Sequence, residues 1–384
     1  MIKIENKEDC CGCCACMNVC SKDCITMELD NEGFVYPKVD ESLCVDCHLC
    51  EQVCPTKQEN TENTPLIAMS ARNNENNDRK TSSSGAIFPL FAKKIFANNG
   101  VVFSSKFNKD WNVVVSYCEN EQEIQPFLKS KYVQSHIDYS FRKIKEFLDN
   151  NRQVMFVGTP CQVEGLNNYL KAIPDNLITV ELICHGVPSE KVWQKYLDEV
   201  LLKNNVNKED ISEIEFRSKK NGWNNYSLEI KTREKTILSQ SKYDNIYLRG
   251  FLQNYYLRPS CYDCPSKELR SRSDFTIGDF WNMDRVLKNY DDDKGTSILL
   301  VNTDKGERFI NTLPFEKKEL EFEKVFSCNP TIYKSSSMNE GIKEFFENID
   351  KKNIIDNINA YLRPTIKPSL LRRIKRKIIL LIRG

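Results

Sequence analysis

Beyond residue 80 the apolar positions of the chain switch repeatedly between a helical and a strand period. In TSSSGAIFPLFAKKIFANNG, Ser and Thr offer helix caps, a 3.6-period apolar face follows, and Gly100 stands where a helix C′ residue would. Pro89 either bends that helix or delays its start. VVFSSKF and WNVVVSYCE read as a strand pair, YSFRKIKEFLDNN as a helix, QVMFVGTPC as a buried strand and QVEGLNNYLKAI as the helix after it. LITVELIC is another apolar strand, with a helix in SEKVWQKYLDEVLLKN. Alternation of this kind predicts an α/β core around a mainly parallel or mixed sheet. Past residue 210 short strands dominate (EIEFRSK, YSLEIKT, TILSQS), and TSILLVNTDKGERFINTL adds a strand and a helix. Upstream, residues 57–80 are polar and Asn-rich and read as a linker or surface excursion.

Composition narrows the chemistry. At 384 residues the chain is long enough for two or three domains with cores of their own. A formal net charge of +1 gives no argument for a nucleic-acid partner. The N-terminus lacks the apolar stretch of a secretory signal, and no run of eighteen apolar residues occurs, so a cytoplasmic chain is expected. Thiols stay reduced there, which turns the 17 Cys towards metal or redox roles rather than disulfides. Eleven of them fall in the first 54 residues.

Register selects among these eleven. C-x2-C-x2-C-x3-C picks out Cys10, Cys13, Cys16 and Cys20, whereas a start at Cys11 fails at Met17. The pattern recurs as Cys44, Cys47, Cys50 and Cys54, followed by Pro55; the first repeat has Ser21 in place of that proline. This is the spacing of bacterial ferredoxins with two cubane clusters, in which the fourth Cys of each run serves the other cluster. Cys10, Cys13, Cys16 and Cys54 are therefore expected to hold one [4Fe–4S] cluster, and Cys44, Cys47, Cys50 and Cys20 a second. Zinc is the alternative, but only His48 is near, and it reads as a solvated neighbour. Cys11 and Cys14 fit as small loop residues, and Cys24 as a small apolar group beneath a cluster. Cys118 and Cys328 read as strand and loop residues.

Four further cysteines stand in suggestive places. Cys161 lies at a strand-to-helix turn, where a thiolate is stabilised as nucleophile or metal ligand. Cys184 ends the next strand, and Cys261 and Cys264 form a CxxC pair, which alone fits a zinc knuckle or a redox pair equally.

With TSSSGAIF, KSKYVQS, FVGTPCQVEGL, ICHGVPS, RPSCYDCPSKELRSRSDFTIGDFW and the N-terminal cysteine repeats, the chain resembles the coenzyme F420-reducing hydrogenase/dehydrogenase beta subunit family from residue 10 to about 330. Members of that family are iron–sulfur flavoproteins that pass electrons between clusters, FAD and a substrate, either the deazaflavin F420 or another acceptor. The resemblance implies a third [4Fe–4S] cluster on Cys161, Cys184, Cys261 and Cys264; a buried strand Cys184 and a small zinc site are the alternatives. It implies FAD held by Ser82, Ser83, Ser84 and Gly85, where TSSSG opens a helix, and by Lys129, Ser130, Lys131 and Tyr132. A Ser-rich helix cap and solvated lysines would look the same. Asp279 and Trp281 line the flavin or substrate pocket on this reading, or else form a fold-specifying turn and a core aromatic. No glycine-rich dinucleotide fingerprint and no general acid or base stands out.

The fold class expected is α+β and multidomain, a small ferredoxin-like N-terminal domain followed by an α/β flavin-binding core with a mixed sheet. Its parts are a ferredoxin domain (1–60), a linker (61–80), an N-terminal core region (81–150), a C-terminal region with the third cluster motif (151–335) and a basic helical tail (336–384). In that tail Leu370, Ile374, Ile378 and Leu381 recur at helical spacing among Lys and Arg, which suits an anionic membrane surface, a partner, or a solvated helix. The function implied is an oxidoreductase moving electrons from the ferredoxin clusters through the third cluster to FAD and an organic acceptor. That acceptor is F420 or another small molecule, including one used in polysaccharide assembly, and the donor is a protein such as reduced ferredoxin. The alternative is a non-enzymatic subunit that relays electrons to a partner protein.

Overall fold

The computed structural model describes residues 1–58 and 61–365. Its strands are β1 (Ile25–Leu29), β2 (Val35–Val39), β3 (Ile67–Asn73), β4 (Val101–Phe107), β5 (Val113–Cys118), β6 (Ser135–His136), β7 (Val154–Gly158), β8 (Leu177–Leu182), β9 (Ile211–Ser218), β10 (Ser227–Thr232), β11 (Thr236–Ser241), β12 (Phe275–Asp279), β13 (Ser297–Val301) and β14 (Phe315–Glu319). The α-helices are α1 (Ala15–Val19), α2 (Leu49–Gln52), α3 (Asn76–Thr81), α4 (Ile87–Ala97), α5 (Ser140–Asp149), α6 (Pro160–Leu170), α7 (Glu190–Asn204), α8 (Ile246–Leu252), α9 (Asp304–Ile310), α10 (Phe322–Cys328), α11 (Ile342–Glu347) and α12 (Ile354–Tyr361).

A nine-stranded mixed sheet in the order β14-β3-β13-β12-β8-β7-β4-β5-β6 forms the centre. Its middle strands β12, β8, β7 and β4 run parallel, joined by crossovers of the βαβ kind, and antiparallel strands extend both sides. The fully buried run Val154–Gly158 shows why β7 lacks polar alternation: helices cover both faces of a parallel strand. β9, β10 and β11 make a separate antiparallel sheet, and β1–β2 a hairpin.

Three expectations need correction. Residues 61–80 are not a linker. They contain β3, which lies between β13 and β14 with Met69 and Ala71 buried, and helix α3. Its buried polar residues are held by partners far away in sequence; Arg72 Nε, for example, donates to Thr296 Oγ1 at 2.8 Å. Second, TSSSG does not open a helix: α3 ends at Thr81, and α4 starts only after Ala86, whose φ is 64° and whose side chain caps nothing. Pro89 falls in the first turn of α4, where no intrahelical N–H bond is lost. Third, Cys328 ends helix α10 instead of lying in a loop.

The N-terminal unit is not a separate bead. Ile2, Cys13, Met17 and Ile25 share one apolar cluster with Phe141, Ile144, Phe156 and Val163 of the central layers. Gly165 of α6 allows the closest approach, since a Cβ there would meet Cys13 Sγ at 2.9 Å. Residues 370–381, where the amphipathic tail was expected, lie outside the described residues.

Candidate functional site

Each cysteine repeat turns its loop in the same way. Cys14 and His48, equivalent positions four residues after the first Cys of each run, both adopt the left-handed conformation, with φ of 61° and 58°. Each then starts a short helix, α1 or α2, which carries the third Cys. Cys54 closes on the first run, where its charge acts on Cys13 and Cys16 and that of Cys10 acts on it. Cys20 joins the second run around a small cavity of ≈ 20 Å³ that Cys44, Cys47 and Cys50 also line. Cys24 lines the same cavity, with its Sγ 3.3 Å from that of Cys20. The N–H of Ile2 donates to Cys50 Sγ at 3.2 Å, the kind of bond that stabilises a thiolate. His48 borders the same cavity but is exposed, and its ring is bonded to Glu51 at 2.6 Å.

The third group gathers from three places in the chain. Thr159 and Gln162 form a capping box that starts α6 with Pro160 and places Cys161 in its first turn. Cys184 follows the end of β8, and Cys261 and Cys264 lie on the turn that follows Arg258. Burial pushes the Cys184 thiol up to about 11 and that of Cys264 to about 12, and burial together with the charges of Cys184 and Cys264 raises Cys261. Loading a metal at such thiols must release their protons. Among the described residues no three His, Cys, Asp or Glu side chains converge closely enough for a single ion.

Cys11, a bystander by register, links two of these groups. Its thiol lies near enough to those of Cys13 and Cys161 for each to act on its ionisation. It also borders a cavity of ≈ 670 Å³, as do Cys161 and Cys184. That volume is in the range of cofactor and ligand clefts. The cavity lies at the carboxyl ends of β7, β8 and β12, where Thr159, Ile183 and Asp279 reach it, the usual place for a ligand on an open α/β sheet.

Of the residues expected at FAD, Ser82, Ser83, Ser84, Lys129, Ser130, Lys131, Tyr132, Asp279 and Trp281 line this cavity. Gly85 does not. It packs into the sheet, where an added Cβ would meet Ala71 O at 2.3 Å. Ser83 Oγ accepts from Ser130 N at 2.7 Å, so the two serine segments are joined into one wall. Lys129, with φ of 67°, turns its ammonium to Glu215 and to Glu213 at 3.3 Å. Lys131 differs: among the described residues its Nζ meets only the carbonyls of Leu128 and Lys129, at 2.8 and 3.2 Å, and burial with the neighbouring Lys129 charge lowers it to about 7. Asp279 is committed to Arg217 and to the Trp223 indole, and Trp281 stacks on Trp223 at 4.8 Å. These two therefore serve the fold of the wall as well as its surface.

The cavity's polar demand fits a large polar cofactor. Ser82 Oγ, Gln134 Nε2 and His185 Nε2 are buried without a hydrogen-bond partner, and all three residues line it. Such atoms are costly to leave unpaired. Sequence reading passed over Gln134 and His185; His185 stands within the quoted ICHGVPS, but nothing local marks its ring as directed into a cavity. Burial lowers the His185 ring from its ordinary value.

Residues 151–326 match the family described as the C terminus of the coenzyme F420 hydrogenase/dehydrogenase beta subunit. Residues 37–57, which hold the second cysteine run, match the 4Fe–4S binding domain. Among solved structures, a chain of the F420-reducing [NiFe] hydrogenase complex from Methanosarcina barkeri is similar at 14% identity and a TM-score of 0.47, over 78% of this chain and 91% of that one. No curated protein matches. Among the described residues no helix is long and apolar enough to cross a membrane. The segment 151–326 thus carries the C-terminal region of the coenzyme F420 hydrogenase/dehydrogenase beta subunit family, and with the 4Fe–4S binding domain at 37–57 the chain is of the iron–sulfur, electron-transferring oxidoreductase type.

Proposed function

We propose that the chain is an iron–sulfur flavoprotein oxidoreductase that moves electrons between ferredoxin-type clusters and an organic acceptor by way of a third [4Fe–4S] cluster and FAD. Cys10, Cys13, Cys16 and Cys54 would hold one cluster, Cys20, Cys44, Cys47 and Cys50 the second, and Cys161, Cys184, Cys261 and Cys264 the third. The observation that carries this reading is the place of Cys161 and Cys184 of the third group on the cavity wall, with Cys11 beside them and near Cys13 of the first group. Electron carriers so placed need no motion of the chain to exchange electrons.

FAD would supply the change between one-electron and hydride chemistry. The chain's own part is to bind and orient. The Ser82–Ser84 and Lys129–Lys131 segments offer hydroxyls, N–H groups and one cation that among the described residues has no carboxylate partner, which suit a pyrophosphate. The cavity's other walls carry Tyr226, Tyr243 and Phe251, flat apolar surfaces for a planar ring. A cavity that extends past the serine wall to these aromatics favours an enzyme with an acceptor site over a relay that only hands electrons to a protein.

Anaerobic purification with iron and flavin quantitation tests the reading. About 12 irons and one FAD per chain are expected. About 8 irons would remove the third cluster, and reconstituted protein that releases no FAD would remove the flavin.

A further inference from the structure

Two buried cations stand beside the cysteine groups without a carboxylate to balance them. Arg258 is 1% exposed. Its guanidinium donates to the carbonyls of Cys10 at 2.7 Å and Val35 at 2.9 Å and to Gln134 Oε1 at 3.3 Å, and it lies 4.4 Å over the Tyr36 ring. All these partners are neutral. Gly12 lets it in, because a Cβ there, at φ +71°, would be 2.9 Å from Nη1. Lys267 is 6% exposed, and its ammonium donates to the carbonyls of Cys184 and Thr331. Glu181, whose carboxyl feels the Lys267 charge, is bonded instead to Ser271 and to Thr276 Oγ1. Neither cation forms an ion pair among the described residues.

A buried charge with no counter-charge costs several kcal/mol, so proteins rarely keep one. The surroundings show what balances these two. The Arg258 guanidinium is held by the Cys10 carbonyl and feels the charges of Cys10, Cys11 and Cys261, whereas Lys267, held by the Cys184 carbonyl, acts on Cys184 and Cys264. A four-iron cube with four thiolates is a net anion, and it gains one further negative charge when reduced. Its field in a low-dielectric interior is what these cations lack.

We infer that Arg258 is the shared counter-ion of the first and third cysteine groups, set between them to favour the reduced state of both, and that Lys267 does the same for the third group alone. This rests on the proposed three-cluster reading. The step concerned is the addition of one electron to a cluster; no bond is made or broken, and both side chains keep their protons. Arg258 and Lys267 are positioning residues. They touch no reacting atom and act through the potential of what lies beside them.

The test is redox titration of the anaerobically purified full chain, followed by electron paramagnetic resonance, with iron counted in every sample. Lys267→Met should lower the third cluster's potential only, and Arg258→Gln the first and third, with the second unmoved in both. Each loss should weaken electron uptake at least tenfold, about 59 mV for one electron. Arg258→Lys, which keeps the charge and loses the forked bonds, should stay nearer the wild type than Arg258→Gln. Unmoved potentials at full iron content overturn the inference. If Arg258→Gln does not accumulate, Lys267→Met decides alone: a third cluster at the wild-type potential is the refuting result. A wild-type chain with about 8 irons would overturn the three-cluster reading and the inference with it. That outcome is told apart by appearing before any substitution.

Discussion

Lys131 provides the sharpest quantitative test of the flavin site. Its ammonium lies on the cavity wall with only main-chain carbonyls for partners among the described residues, and burial beside Lys129 brings it to about 7. A pyrophosphate bound there would hold it charged, so affinity should follow the fraction of Lys131 protonated in the free protein. That fraction is about 0.9 at pH 6 and about 0.01 at pH 9, which makes FAD binding about 90-fold weaker at the higher pH, a difference of about 2.7 kcal/mol. Binding at pH 7 should take up about half a proton. Stability of the flavin-free fold runs the other way. The unfolded chain holds this proton up to about pH 10 while the folded one has lost it, so stability rises with pH between about 7 and 10. Isothermal titration of flavin-free protein with FAD, in two buffers of different ionisation enthalpy, measures both the slope and the proton. Lys131→Met should bind FAD about as weakly at pH 6 as the wild type does at pH 9, with no slope. A wild-type affinity that changes less than about threefold over this range, or a slope surviving in Lys131→Met, refutes the assignment.

Other substitutions test the cysteine groups and the cavity wall. Cys261→Ser should cost about four irons per chain and Cys11→Ser none, because Cys11 lies near two groups without completing either. Gly165→Val drives a side chain into Cys13, and overpacking of this kind costs about 1–3 kcal/mol; loss of about four irons with a lowered melting temperature is expected, and a variant with full iron would show that α6 does not support the first group. Arg217→Met strands the Asp279 carboxylate in the wall, a loss of about 3–5 kcal/mol readable as a shift in the urea midpoint.

How far sequence carried this depends on distance along the chain. The two cysteine runs were legible as a repeat because their spacing is local, and the structure puts both on the same left-handed turn. The parallel centre was legible because helix-covered strands such as Val154–Gly158 are apolar throughout. β3 was hidden because its Ser70, Arg72 and Asn73 read as surface, and their burial is permitted by partners such as Thr296, 224 residues away. Gly85 was placed with the cofactor by its serines, but its lack of a side chain answers the approach of Ala71 and Ser297. Arg258 is ordinary in sequence. Its meaning comes from Cys10, 248 residues earlier, whose carbonyl it holds.

The shared core of the N-terminal unit has a mechanical consequence. The β1–β2 turn docks on the start of α7, where Glu190 N donates to Gly33 O at 3.3 Å, and Arg142 of α5 holds the carbonyls of Asn18 and Cys20 at 2.8 and 2.7 Å. A ferredoxin module tethered by a flexible arm would swing between donor and acceptor, and its turnover would slow in viscous solvent. Here the module is fixed at both ends. Transfer within the chain should be indifferent to added glycerol, and the unit cut out at residue 60 should be insoluble, since Met17 and Ile25 would lose the apolar surface that covers them.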